Sequence, residues 1–276
     1  MPDLDEIIKK RVVYTIPNME QIQAEKNITY KTVDGTDLKM DTYYPTNLQS
    51  NSHLPAVILV HGEGVDPAIL KDAKDWGVFV SFGQLIAASG LIAVTFNHRS
   101  TEDLTRYDAA SDVDDLITYV RNQAESLHID KEHLCLWAIS AGVPTGLRAA
   151  MRGSHPFLRC IVAYYGPMDL QHVRKFFEFF PSEVTDETLR EFSAISYLEK
   201  NSSEIPPMFI AKAGLDHPFF NESIDRFVIE ASSKNVPITF MNHSAGHHAF
   251  DMLDDNARSR EIIRNTLEFI KEHLKV

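Results

Sequence analysis

Ser140 stands in Trp137-Ala138-Ile139-Ser140-Ala141-Gly142, behind an apolar run and ahead of a small-residue segment. A serine lifted on a sharp strand-to-helix turn presents its hydroxyl as a nucleophile. Such a turn brings strand and helix close together, so the residues two before and two after the serine must be small. Ala138 and Gly142 meet that need, although Ala138 replaces the first glycine of the usual G-x-S-x-G string. Serine attacks poorly at neutral pH unless a base lies within hydrogen-bond reach. With this kind of turn, an acid and then a histidine follow the serine along the chain. Asp216 in Gly214-Leu215-Asp216 fills the first place, and the adjacent His247 and His248 fill the second. Only one of two neighbouring loop residues can touch both serine and acid, and the residues alone leave His247 and His248 open.

Acyl transfer also needs donors preorganised around the developing oxyanion. The backbone N–H of Ala141, directly after the nucleophile, is one candidate. The second comes from His61-Gly62-Glu63-Gly64, with the N–H of Glu63 first and that of Gly62 second. The Glu63 carboxylate would then have to turn away from the anion. His243 and His247 have the i,i+4 spacing of a zinc pair on a helix. Ser244 to Gly246 reads as loop, however, and no glutamate lies between the two histidines. Neither a metal nor a cofactor is expected.

The elements that must position these groups alternate along the chain. Asn27 to Val33 and Leu38 to Tyr44 flank Asp34-Gly35, a hairpin signal. Pro55 to Val60 is apolar on both faces, as a central parallel strand requires. Helix over Val78 to Ala88 and strand over Leu91 to Phe96 follow. Helical periodicity runs over Ser111 to Leu127, with Ser111 as N-cap. Strand His133 to Ile139, helix Ala141 to Arg152 and strand Arg159 to Tyr165 come next. After a long insertion come strand Pro207 to Ala211, helix Asn221 to Ser233, strand Pro237 to Met241 and a closing helix from Asp254 to Leu274. This rhythm predicts one α/β domain over residues 1–276. Its sheet is mostly parallel, with an antiparallel N-terminal edge hairpin and helices on both faces.

Bulk properties narrow the function classes. The 276 residues carry a net charge of −12, which disfavours nucleic acid and anionic membranes as partners. No apolar run approaches transmembrane length. The first residues, MPDLDEIIKKR, lack the apolar core of a secretory signal. The two cysteines, Cys135 and Cys160, sit in strand-like runs and suggest no disulfide framework. A cytoplasmic setting is the expectation, with homo-oligomer formation left open.

Together these residues resemble the α/β-hydrolase superfamily. They look most like its small carboxylesterase and feruloyl-esterase-like branch, which also resembles dienelactone hydrolases. LKMDTYYP (38–45) looks like that branch's edge strand and HGEG (61–64) like its oxyanion loop. Asp112 to Gly142 resembles its helix, strand and elbow, while AGLDHPF (213–219) and GHHAFD (246–251) resemble its acid and base loops. The resemblance covers about Asn27 to Leu274. It implies the α/β-hydrolase fold, the triad Ser140, Asp216 and His248, and a small-molecule ester as substrate. It also decides between the histidines, because the family's base stands two before a phenylalanine and His248 precedes Ala249-Phe250.

The insertion, residues 168–205, lies where this fold commonly places a short cap. It carries Phe176, Phe177, Phe179 and Phe180, of which Phe176, Phe177 and Phe180 are the candidates for an apolar substrate wall. Phe219 and Phe220, just after the acid loop, could contribute. A carboxylic-ester hydrolase is the leading reading. A peptidase or acyl-transferring relative on the same triad, and a non-catalytic binding protein on the same fold, are the alternatives. The binding protein should lack a triad member, and none is missing.

Overall fold

The computed structural model describes residues 4–62, 72–100, 107–176 and 183–276. Among the described residues are eight strands, β1 (Gln23–Val33), β2 (Thr36–Tyr44), β3 (Leu54–Val60), β4 (Ile92–Phe96), β5 (Ile129–Ile139), β6 (Leu158–Tyr164), β7 (Met208–Ala213) and β8 (Ile238–His243). They form one sheet in the order β1-β2-β4-β3-β5-β6-β7-β8. Strand β2 runs antiparallel to β1 and β4, and the pairs from β4 to β8 are parallel. At Asp34 (φ 49°) and Gly35 (φ 78°) both central turn residues are left-handed, which is the twist-matched hairpin turn the Asp-Gly pair favours.

The longer described helices are α1 (Gly77–Ala88), α2 (Asp108–Asn122), α3 (Gly142–Met151), α4 (Pro218–Ser233) and α5 (Ala257–Leu274). Alternation along the strands divides the core in two. Ala56, Ile58, Leu136 and Ala138 face the layer of α2, α3 and α4. Val57, Leu59, Trp137 and Val162 face α1 and α5. Covered on both sides, β3, β4 and β6 read as continuous apolar runs. From β3 the chain crosses to β4 on one side, then returns past β3 to β5 on the other. The crevice at the carboxyl ends of β3 and β5 is therefore a switch point, where open α/β sheets take their ligands.

Strands β1 and β5 begin earlier than the sequence suggests, at Gln23 and Ile129, and three helix boundaries differ for visible reasons. Helix α2 begins at Asp108, and Ser111 lies within its first turn instead of capping it. Arg99 holds the Asp108 carboxylate at 2.7 Å, and an anion at a helix N-terminus is favourable. Helix α4 starts earlier, at Pro218, where proline's fixed φ suits the first turn. The closing helix α5 starts later, at Ala257, because Asn256 caps Arg258 N and Ser259 N, and a separate short helix, Phe250–Leu253, precedes it. Within residues 168–205, short helices at Leu170–Val173 and Asp186–Glu191 pack over α2, where Leu170, Leu189 and Phe192 cluster with Ala110. Arg148 of α3 joins this segment through Glu191 (2.8 Å). Among the described residues, no helix is long and apolar enough to cross a membrane.

Asp112 ties the hairpin to the sheet. Its buried carboxylate accepts from Arg99 N (2.9 Å), the Arg99 guanidinium and Lys31 Nζ (2.7 Å). Burial alone would raise this carboxyl, but the Arg99 and Lys31 hydrogen bonds outweigh it and hold it below its ordinary value. Its contribution to stability is therefore complete above the ordinary carboxylate range and is lost as pH falls through the depressed value. Asp112→Asn removes the buried anion that Arg99 and Lys31 share and should cost about 2–4 kcal/mol, limited because Arg99 keeps Asp108 and Lys31 keeps Asp115 as partners. Urea unfolding at neutral pH reads the loss, and the gap from the unaltered protein should narrow in strong acid.

Candidate active site

Between β5 and α3 the backbone reverses direction over one residue. Ser140 takes φ 55°, a conformation that L-residues adopt at a cost. Ser140 N donates to Tyr164 O (3.0 Å) and Val143 N to Ser140 O (2.9 Å), so the turn is held from both sides. A side chain at Gly142 would meet His61 O at 2.3 Å, which explains the need for glycine two residues after the serine. Ala138 is accommodated in another way. Its methyl packs against Gly146 of α3, where an added Cβ would stand 2.9 Å from it. The glycine missing from the strand reappears one helical turn beyond the elbow.

The loops after β7 and β8 bring acid and base to this serine. Gly214 N donates to His243 O (2.8 Å) and Leu215 N to Gly246 O (2.9 Å), extending the strand pairing into the loops. Asp216 is nearly buried, and its Oδ1 accepts from His217 N at 2.7 Å. Its Oδ2 lies 2.6 Å from His248 Nδ1, and His248 Nε2 lies 2.8 Å from Ser140 Oγ. A carboxylate only accepts, so the His248 proton sits on Nδ1. The Nε2 lone pair then faces the serine hydroxyl. His247 turns outward. Asp254 takes both its backbone N (2.7 Å) and its Nδ1 (3.1 Å), and the side chain is 64% exposed.

Gly62 and Ala141 also come together. A Cβ on Gly62 would lie 2.7 Å from Ser140 Cβ and 3.1 Å from Ala141 N, so only glycine lets the post-β3 loop approach the elbow. The Ala141 N–H belongs to the first turn of α3, where donors have no intrahelical acceptor. Glu63, the other oxyanion candidate, lies outside the described residues. Behind this loop, His61 is buried and stacks on His98 with centroids 3.7 Å apart. Burial first, and then the His98 charge, push its pKa well down, so it stays neutral.

Phe177, Phe179 and Phe180 lie outside the described residues. Phe176 is 57% exposed, with its ring tilted on His172. Phe220 lies closer to the triad, with its ring centroid 6.4 Å from that of His248. His243 and His247 do not converge on a point. His243 Nε2 turns inward to Ser259 Oγ (3.1 Å), while His247 faces Asp254. Among the described residues, no group of three or more His, Cys, Asp or Glu could hold a metal ion. Sequence reading gave no role to Tyr165, whose ring edge meets His248 at 4.8 Å. Its place directly after β6, beside the elbow strand, was the available signal.

A family model described as BD-FAE matches residues 40–219. Among curated proteins, the non-reducing polyketide synthase adrD of Penicillium roqueforti is 27% identical over 163 residues, 54% of this chain and 6% of its own length. That of Penicillium rubens is 24% identical over 164 residues, 55% of this chain and again 6% of its own length. The chain thus matches only a small part of these curated relatives. Among solved structures, the native esterase 2 of Thermogutta terrifontis is 19% identical with a TM-score of 0.70, covering 93% of this chain and 94% of its own. The same esterase phosphoramylated by tabun is 18% identical with a TM-score of 0.68, covering 91% and 94%. A mutant of the esterase rPPE is 15% identical with a TM-score of 0.71, covering 95% and 86%. These likenesses show the α/β-hydrolase fold.

The contact between Ala138 and Gly146 can be tested as a pair. Gly146→Ala should cost about 1–3 kcal/mol by overpacking and reduce any activity that depends on the elbow. Adding Ala138→Gly should recover most of that loss. Thermal midpoints of the two single variants and the double variant read this coupling, and simple additivity would show that the two positions do not compensate.

Proposed function

The chain belongs to the BD-FAE family, and on that premise we propose that it is a serine hydrolase of small carboxylic esters, acting through an acyl-enzyme. The observation that carries the reading is the continuous path from Ser140 Oγ through His248 (2.8 Å) to Asp216 (2.6 Å). In this mechanism the Ser140 oxygen attacks the ester carbonyl carbon while its proton passes to His248 Nε2. Asp216 stabilises the resulting imidazolium and keeps the ring oriented. The Ala141 N–H, with a second donor from Gly62 or Glu63, takes the oxyanion of the tetrahedral intermediate. His248 then returns the proton to the leaving alkoxide, which departs as alcohol. Water repeats the sequence on the acyl-enzyme and releases the carboxylic acid.

The acyl or alcohol part of the substrate has aromatic neighbours in this reading. Phe220 beside His248 is the first, with Phe176, Phe177 and Phe180 of the proposed cap 168–205 as the outer wall. No cofactor or metal takes part. A cytoplasmic setting goes with the reading, supported by two buried free cysteines, Cys135 and Cys160. The likeness to a stretch of the polyketide synthases favours acyl transfer as a second reading. Its chemistry would differ only in the acceptor that resolves the acyl-enzyme. Adding an alcohol acceptor to an ester assay distinguishes the two by the yield of new ester against free acid.

Ser140→Ala should leave the fold intact and lower turnover of an activated ester by about 10⁴-fold or more. A variant keeping a tenth of the rate would remove Ser140 from the chemistry. His248→Ala should lose nearly all activity. His247→Ala should keep most of it, because His247 faces Asp254 and solvent. The reverse result with the same ester would exchange the two assignments. For the unaltered protein, kcat/KM should fall on the acid side as the base protonates.

A further inference from the structure

His248 has a second acidic neighbour that the proposed chemistry leaves unused. Asp251 lies three residues beyond it, at the start of the short helix Phe250–Leu253, and its side chain turns inward to near-complete burial. The Tyr165 hydroxyl donates to Asp251 Oδ1 in a short hydrogen bond. The Tyr165 ring, itself buried, stands edge-on to His248 with centroids 4.8 Å apart at 64°. It also meets Phe250 at 5.4 Å. Tyr165 has little freedom. Its N donates to Ala211 O (2.8 Å), and its φ of 35° is left-handed. The Asp251 backbone carbonyl accepts from Val13 N (2.8 Å), so the N-terminal arm fixes it from the other side.

We propose that Asp251 is a positioning residue for His248. It acts through the Tyr165 ring and through its own charge, so that His248 and Asp251 respond to pH as a pair. This rests on the esterase reading of the Ser140 site. Holding the imidazole against a wall fixed by Tyr165 and Asp251 limits its rotation out of line with Ser140. The charge acts when His248 takes the serine proton, because an anion behind the ring favours the imidazolium. Asp216 supplies the same sign of charge by direct contact.

The carboxyl of Asp251 is pushed up to about 6, first by burial, against the Tyr165 hydrogen bond and the charge of His248. The groups facing it are Tyr165, His248 and Asp254, with Asp216 across the His248 ring. Burial first, and then the Asp251 charge, push the Tyr165 phenol far up, so its hydroxyl stays a donor. Tyr164 is engaged with Thr266 at 2.7 Å. From the N-terminal arm, the hydrogen bond to Asp251 is a backbone N–H of Val13 and carries no charge. The second anion is therefore present above about pH 6 and lost below it, within the window where histidine commonly titrates.

Asp251→Asn keeps an acceptor for Tyr165 and nearly the same shape while removing the charge. The test uses the full chain, an activated ester over a range of pH, and NMR titration of the His248 ring. In the variant the His248 midpoint should fall by about 0.5–1 pH unit, the size of a single-charge effect. The acid limb of kcat/KM should move the same way, with the plateau reduced about three- to tenfold. Tyr165→Phe keeps the ring but deprives Asp251 of its donor. It should shift both readouts in the same direction and by less, and it serves if the asparagine variant does not fold. Lost activity with an unmoved His248 midpoint would mean structural support only and would overturn the charge coupling. No change in either readout would overturn the proposal outright. The NMR titration needs no turnover, so an unaltered protein that hydrolyses no ester would sink the esterase reading and leave the coupling separately decided.

Discussion

Ser140 is held at φ 55° between a buried strand and a helix, and the rest of the site depends on that one strained residue. Left-handed backbone at a non-glycine residue costs roughly 1–2 kcal/mol and persists only where the surroundings over-determine it. Here the surroundings are three backbone segments packed without side chains between them. Gly142 lies against the end of β3, Gly62 lies against the elbow, and the Ser140 N–H is taken by β6 through Tyr164 O. The parallel sheet supplies the rigidity, because β5 has neighbours on both sides and helices over both faces. The same closeness that strains the turn brings the Ala141 N–H and the post-β3 loop to one point. A raised hydroxyl and an adjacent backbone N–H thus arise from a single packing constraint.

Most of the scaffold was legible in the sequence because its signals are local. Asp34-Gly35 fixes a hairpin turn, and apolar runs such as PAVILV are strands buried on both faces. The order of Ser140, Asp216 and His248 was legible too, since each follows a strand at the same end of the sheet. Boundaries were less so wherever a distant group decided them. Arg99, from the end of β4, moves the start of α2 to Asp108, and no local pattern around Ser111 reports that. Ala138 looked like a weakened motif because its compensation, Gly146, stands eight positions later and shares no string with it. The resemblance favoured His248 over His247, and the difference in their surroundings appears only in space. Asp254 draws His247 outward through two hydrogen bonds, while Tyr165 and Asp216 bracket His248.

The two carboxylates near His248 show how environment separates residues of one type. Asp216 accepts a backbone N–H from His217 and the imidazole N–H. Asp251 is more deeply buried, and the neutral Tyr165 hydroxyl donates to its Oδ1, so desolvation prevails and its carboxyl rises to about 6. The Asp216 carboxylate meets the ring directly, at Nδ1. A conditional anion behind the ring can change the basicity of the imidazole without competing for its Nδ1 proton, because Tyr165 already occupies Oδ1. The distinction rests on hydrogen-bond partners, not on distance from the serine. A buried polar cluster whose donors and acceptors are matched tolerates a second acid beside a histidine, where an unmatched one would be a liability.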